Sequence, residues 1–173
     1  MATRRITEAA EQRNTSAVSY HFGSRQGLLL ALLARRGGPV DERRGELLAS
    51  AGDDPPLAAL VRCLVLPYAG LLDDPGGRSY LRIVAQLRGR FAAWRVASDA
   101  DTTEHLAAIL DRIEAVPTAP PAVRQERVVA LIMLLTGAVA ERARRLDDGQ
   151  PVGLDHEAFV DNLTAMGAAV VTA

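Results

Sequence analysis

Thr15, Ser16, Ser19, Tyr20 and His21 put three hydroxyls, a phenol and an imidazole into seven residues, with Ala17, Val18 and Phe22 set among them. Wound into a helix, the polar set shares one surface while the apolar set packs inward. Short hydroxyl side chains on such a surface reach base edges in a groove of duplex DNA, and the larger polar groups hold phosphates. The same residues would also serve as an ordinary solvated helix face.

The elements that must hold this surface follow from its flanks. Arg4 to Ala10 has the spacing of a short amphipathic helix, and Glu11 to Asn14 is a polar break. Thr15 to Phe22 is a second short helix that Gly23 stops, and Ser24 caps a third helix carrying Leu28, Leu29, Leu32 and Leu33. Two short helices joined by a tight turn form the helix-turn-helix plan. Residues 1–36 hold six arginines against Glu8 and Glu11, net +4, whereas residues 37–173 hold fourteen against nineteen acids, net −5. A basic head of residues 1–36 therefore precedes an acidic body of residues 37–173, with a boundary, or at least a kink, at Gly37-Gly38-Pro39.

The stretch AVSYHFGSRQGLLLALL resembles the end of the recognition helix and the start of the next helix in the tetracycline-repressor (TetR) family of transcriptional regulators. That family has an aromatic-His-Phe run, a glycine or similar breaker, Ser-Lys/Arg and a polar residue ahead of a leucine-rich helix. The likeness covers residues 3–33 in kind, order and spacing; beyond them it is architectural only. It implies that Asn14, Thr15, Ser16 and Ser19 lie in or beside the major groove, and that Tyr20 and His21 contact phosphate or bases. Thr3 and Arg25 would grip the DNA backbone at helix N-termini, where free N–H groups favour anions, and Arg13 would add a phosphate or guanine contact. Family members begin with a further helix, so the resemblance also implies a head incomplete at its N-terminus. Glu11 stands where the family's turn often has glycine, and a left-handed backbone there would cost roughly 1 kcal/mol.

Composition excludes much else. All 20 positive residues are arginine, so no lysine serves a phosphate-binding loop, a Schiff base or an activated nucleophile. Cys63 is the single cysteine, which rules out an internal disulfide and a multi-cysteine zinc or iron–sulfur site. The histidines are dispersed and no G-x-S-x-G elbow occurs, so neither an enzyme nor a cofactor is expected. The longest charge-free apolar stretch, Val128 to Ala140, has 13 residues, too short for the roughly 20 of a membrane span. With no apolar leader near Met1, a cytoplasmic protein with no membrane partner is expected.

The body's apolar spacing is helical throughout, which makes the fold class all-α: a helix-turn-helix head on a helical ligand-binding and dimerisation body. Leu57, Leu60, Val61, Leu64, Val65, Tyr68, Leu71 and Leu72 line one helix face that Pro67 bends. Leu106, Ile109, Leu110 and Ile113 line a second, and Phe159, Leu163, Met166 and Val170 a third. The Asp-Asp pairs at 53–54, 73–74 and 147–148 are each followed by Pro or Gly and read as helix ends. In Val128 to Ala140 apolar residues surround the helix, with Val128, Leu131, Leu135 and Val139 on one side and Val129, Ile132 and Met133 on another. The final helix is rich in small residues. Together these point to a homodimer through the last two helices. Candidates for lining a ligand cavity are Cys63, Tyr68, Tyr80, Gln86, Trp94, His105 and Met133, the few bulky or polar groups among Leu, Val and Ala. So few aromatics suit a small apolar or weakly polar ligand. The expected function is a ligand-responsive repressor acting as a homodimer on a palindromic operator in double-stranded DNA. The alternative is a truncated helical dimer or small-molecule-binding module that does not bind DNA.

Overall fold

A computed structural model describes residues 23–87 and 103–173. The two short N-terminal helices expected from the sequence lie outside the described residues. So do Thr3, Arg13, Asn14, Thr15, Ser16, Ser19, Tyr20 and His21, together with Trp94. Six α-helices are described: α1 (Arg25–Ser50), α2 (Leu57–Ala69), α3 (Pro75–Leu87), α4 (Glu104–Ala115), α5 (Pro121–Asp147) and α6 (His156–Thr172). A 3-10 turn, Gly70–Asp73, joins α2 to α3, and no strand occurs among the described residues. The protein is all-α.

Helix α1 begins as its sequence predicts. Gly23 takes a left-handed φ of 67°, and the Ser24 hydroxyl accepts the Gly27 N–H at 3.0 Å, capping the first turn. No helix end falls at Gly37-Gly38-Pro39, where the sequence suggests a boundary or a kink: α1 is a single helix of 26 residues with Pro39 inside it. Glycine costs about 1 kcal/mol and proline about 3 kcal/mol in a helix interior. The turn that follows offsets this by burying Val40, Asp41 and Arg44 against the body. Tertiary packing overrides local propensity here.

Helix α2 is the centre of the core. Leu60, Val61, Leu64, Val65 and Tyr68 are buried, so the face read from the sequence is the one that packs inward. Pro67 removes an amide donor from the last turn; the α-helix ends at Ala69 and tightens into the 3-10 turn that seats Leu72. Around α2 stand α1, α4 and α6, and α5 packs against α3, α4 and α6. Ile109, Leu110 and Ile113 of α4 complete the core, each buried side chain contributing about 1.5–3 kcal/mol.

In α5 the Val128, Leu131, Leu135 and Val139 side is buried, whereas Val129 and Met133 are exposed. On α6 the inward stripe is Val160, Leu163, Thr164, Gly167 and Val171, shifted from the predicted one so that Met166 faces solvent. The shift follows from Gly167. A Cβ there would come within 2.8 Å of Val61 and 2.9 Å of Leu131, so this glycine lets α6 settle onto α2 and α5. Its smallness serves packing inside the subunit.

The acidic pairs occupy helix ends as expected. Asp74 caps α3 by accepting the Gly77 N–H at 2.9 Å, and Asp147 closes α5, binding Arg78 and, at 2.9 Å, Arg82. Gly76 and Gly77 lie within the first turn of α3 rather than in a loop. Gly77 is required there, because a Cβ would stand 2.1 Å from the Leu71 carbonyl oxygen.

Candidate functional site

Trp94 lies outside the described residues, and the other six residues expected to surround a ligand are spread over α2, α3, α4 and α5. Cys63 and Tyr68 are buried in the core on α2, and burial pushes the Cys63 thiol above its usual pKa. Gln86 is exposed on α3 and Met133 on α5. His105 sits in the first turn of α4 with its ring against Gly45 of α1, where a Cβ would meet its Nε2 at 2.6 Å. Tyr80 lines the cavity between α1, α2 and α3.

That cavity is a groove of about 990 Å3 bounded by three helices. From α1 come Leu32, Arg36, Val40 and Arg43, a spacing that repeats on one helix face, joined by Leu33, Arg35 and Pro39. The wall from α2 and its 3-10 extension presents Leu66, Pro67 and Leu71. Helix α3 closes the third side with Ser79, Tyr80 and Ile83. The surface is mostly hydrocarbon, and among the described residues its cationic edge comes from α1. Arg36 reaches across to Asp74 at 3.2 Å, tying α1 to the N-terminus of α3, and Arg43 pairs with Glu46 on its own helix. The Gly77 N–H, with Arg36, holds the Asp74 carboxyl below the usual carboxylate range.

Behind the groove lies a polar cluster that sequence reasoning missed. Asp41 and Arg44 are buried side by side on α1, paired at 3.3 Å. The Asp41 carboxylate also accepts the backbone N–H groups of His105 and Leu106, each at 2.9 Å. Burial pulls Arg44 below the ordinary guanidinium pKa, while Asp41, Tyr80 and Tyr68 act in the opposite direction. Burial also pushes the Tyr80 phenol up, leaving it a neutral hydrogen-bonding group at the groove. The available signal was the spacing of Asp41 and Arg44, which places opposite charges three apart on a face that also carries Val40.

Of the residues assigned to DNA by resemblance, only Arg25 is described, as the first residue of α1. The described portion offers an apolar groove with arginines at its edge, and outward faces of α5 and α6 that carry Val129, Met133 and Met166. No helix among the described residues is long and apolar enough to cross a membrane. No protein-family model matches the chain, and no curated protein matches it.

Proposed function

We propose that the protein is a DNA-binding transcriptional regulator resembling the TetR family, a ligand-responsive repressor that acts as a cytoplasmic homodimer on a palindromic operator. The observation that carries this reading is α1. It starts immediately after the Ser-Tyr-His-Phe-Gly run and continues without interruption to Ser50, so the helix that leaves the basic segment is also a wall of the groove. A ligand in that groove touches the element to which the proposed DNA-reading segment is covalently joined.

Support for the homodimer comes from α5 and α6, where large apolar side chains face outward on two adjacent helices. In such a dimer the two heads would dock in successive major grooves, about 34 Å apart on DNA. Induction then requires a ligand that binds the DNA-competent and DNA-incompetent dimers with different affinity.

The test is an electrophoretic shift with DNA from upstream of the protein's own gene at several salt concentrations. Retardation should fall steeply as salt rises, because arginine contacts release counterions. Tyr20→Ala should weaken the shift without dissociating the dimer. Free DNA unchanged at low salt would favour a helical dimer or small-molecule-binding module without DNA binding.

A further inference from the structure

We infer that the groove between α1, α2 and α3 takes an amphiphilic anion, a straight-chain carboxylate whose head meets Arg35 and Arg43 while its hydrocarbon tail lies along Leu66, Leu71 and Ile83. The inference rests on the ligand-responsive reading above and supplies the ligand's chemical class, in place of the apolar or weakly polar ligand expected from composition.

Charge carries the first half of the argument. The described lining residues include three guanidinium groups and no carboxylate, with Asp74 and Glu46 pairing Arg36 and Arg43 from just outside the lining, although residues 37–173 as a whole have a net charge of −5. An anion is repelled by most of the body and attracted to this edge. Arg36 is held by Asp74, but Arg35 is exposed and has no ion pair among the described residues. Arg43 lies two helical turns beyond Arg36 and is held only by an exposed glutamate three residues on, an interaction that competes weakly. A carboxylate offers both arginines a planar acceptor suited to paired hydrogen bonds.

The walls carry the second half. Leu32 is 48% exposed and Ile83 37% exposed, large hydrocarbon surfaces facing the open groove. Pro39 and Pro67 stand on α1 and α2 and add ring hydrocarbon to the groove's walls. Among the described lining residues Tyr80 is the one aromatic side chain, and aliphatic side chains form most of the remaining wall. A flexible alkyl chain needs no stacking partner, and a groove of about 990 Å3 lies at the upper end of the usual range of ligand sites.

The experiment is calorimetric titration of the full chain, without DNA, by decanoate and by 1-decanol, each below its aggregation limit. Decanoate should bind saturably and at least tenfold more tightly than the alcohol. The double variant Arg35→Gln/Arg43→Gln should lose that preference while keeping its affinity for the alcohol, and Ile83→Glu should weaken both ligands at least tenfold with unchanged helical circular dichroism. Absence of saturable decanoate binding, equal affinity for acid and alcohol, or an unaffected double variant would overturn the proposal. So would a dimer that Ile83→Glu dissociates, since the groove would then be a subunit interface, or displacement of decanoate by an oligo-glutamate peptide, which would make it a site for an acidic protein segment. Failure of DNA binding leaves these results standing, and decanoate binding that does not alter an observed DNA complex removes only the regulatory link.

Discussion

Asp41 caps the helix that begins at Glu104: its buried carboxylate accepts the backbone N–H of His105, 64 positions later in the chain, at 2.9 Å. Thr103, at the N-cap position of α4, makes no side-chain capping bond, and Asp41 also takes the Leu106 N–H at 2.9 Å. A helix N-terminus presents unpaired donors and a partial positive charge, both of which a carboxylate satisfies. Helix α4 therefore depends on α1 for its start, and Arg44 completes the arrangement from the same helix.

Removing the carboxylate should be more damaging than removing the cation. Asp41→Ala strands a buried guanidinium and two backbone donors and should destabilise the fold by about 3–5 kcal/mol in urea unfolding. Arg44→Met leaves Asp41 with both backbone N–H groups and should cost less than half as much. Equal losses would mean that the ion pair, not the cap, dominates.

Gly45 and His105 should be energetically coupled. Alanine at position 45 gains about 1 kcal/mol of helix propensity, but its Cβ collides with the His105 ring at 2.6 Å. We expect Gly45→Ala to destabilise the wild-type background by about 1 kcal/mol and to stabilise a His105→Ala background by up to about 1 kcal/mol. A double-mutant cycle with no coupling would refute this contact.

Acid should act partly through Glu141. Hydrogen bonds from Arg144, and then Arg145, hold its carboxyl down at about 2. Because the folded value lies below the unfolded one, the contribution is present above the ordinary glutamate range and is lost as pH falls towards the folded value. The pair is exposed, so the effect should shrink in high salt. Carbon-detected NMR titration should place the Glu141 midpoint near 2 and show it rising in an Arg144→Gln/Arg145→Gln variant.

The outward faces of α5 and α6 should govern association. Val129 is 41% and Met166 45% exposed, so Val129→Glu/Met166→Glu removes little from the subunit's own core. Sedimentation equilibrium should report a dimer for the wild type and a monomer for the double variant, with helical content unchanged. A dimer that survives would locate the contact elsewhere.

Much of this architecture was legible because period and punctuation agree. The Leu60–Tyr68 face of α2, the Ile109–Ile113 face of α4 and the Ser24 cap are all local patterns whose physical cause lies within a turn or two. What was not legible depends on distance. Nothing near Gly37-Gly38-Pro39 announces that Val40 and Asp41 will be buried, so the local breakers suggested an end where α1 continues. Met166 fits an apolar spacing on α6, but Gly167 decides which side faces inward, through the close approach of Val61 and Leu131. The ligand candidates were selected as unusual residue types, and that criterion overlooks a groove made from ordinary leucines and arginines contributed by three helices.

Under the proposed function, the uninterrupted course of α1 would make the groove a fulcrum. At 1.5 Å per residue, the 14 positions from Arg25 to Pro39 form an arm of about 21 Å, and a tilt of about 10° at Pro39 swings the tip by roughly 4 Å. Proline leaves the Arg35 carbonyl without its helical donor, so the rod is most easily flexed at that turn. A small wedge driven between α1 and its neighbours would be magnified at Gly23 into a displacement comparable to the rise of one base pair.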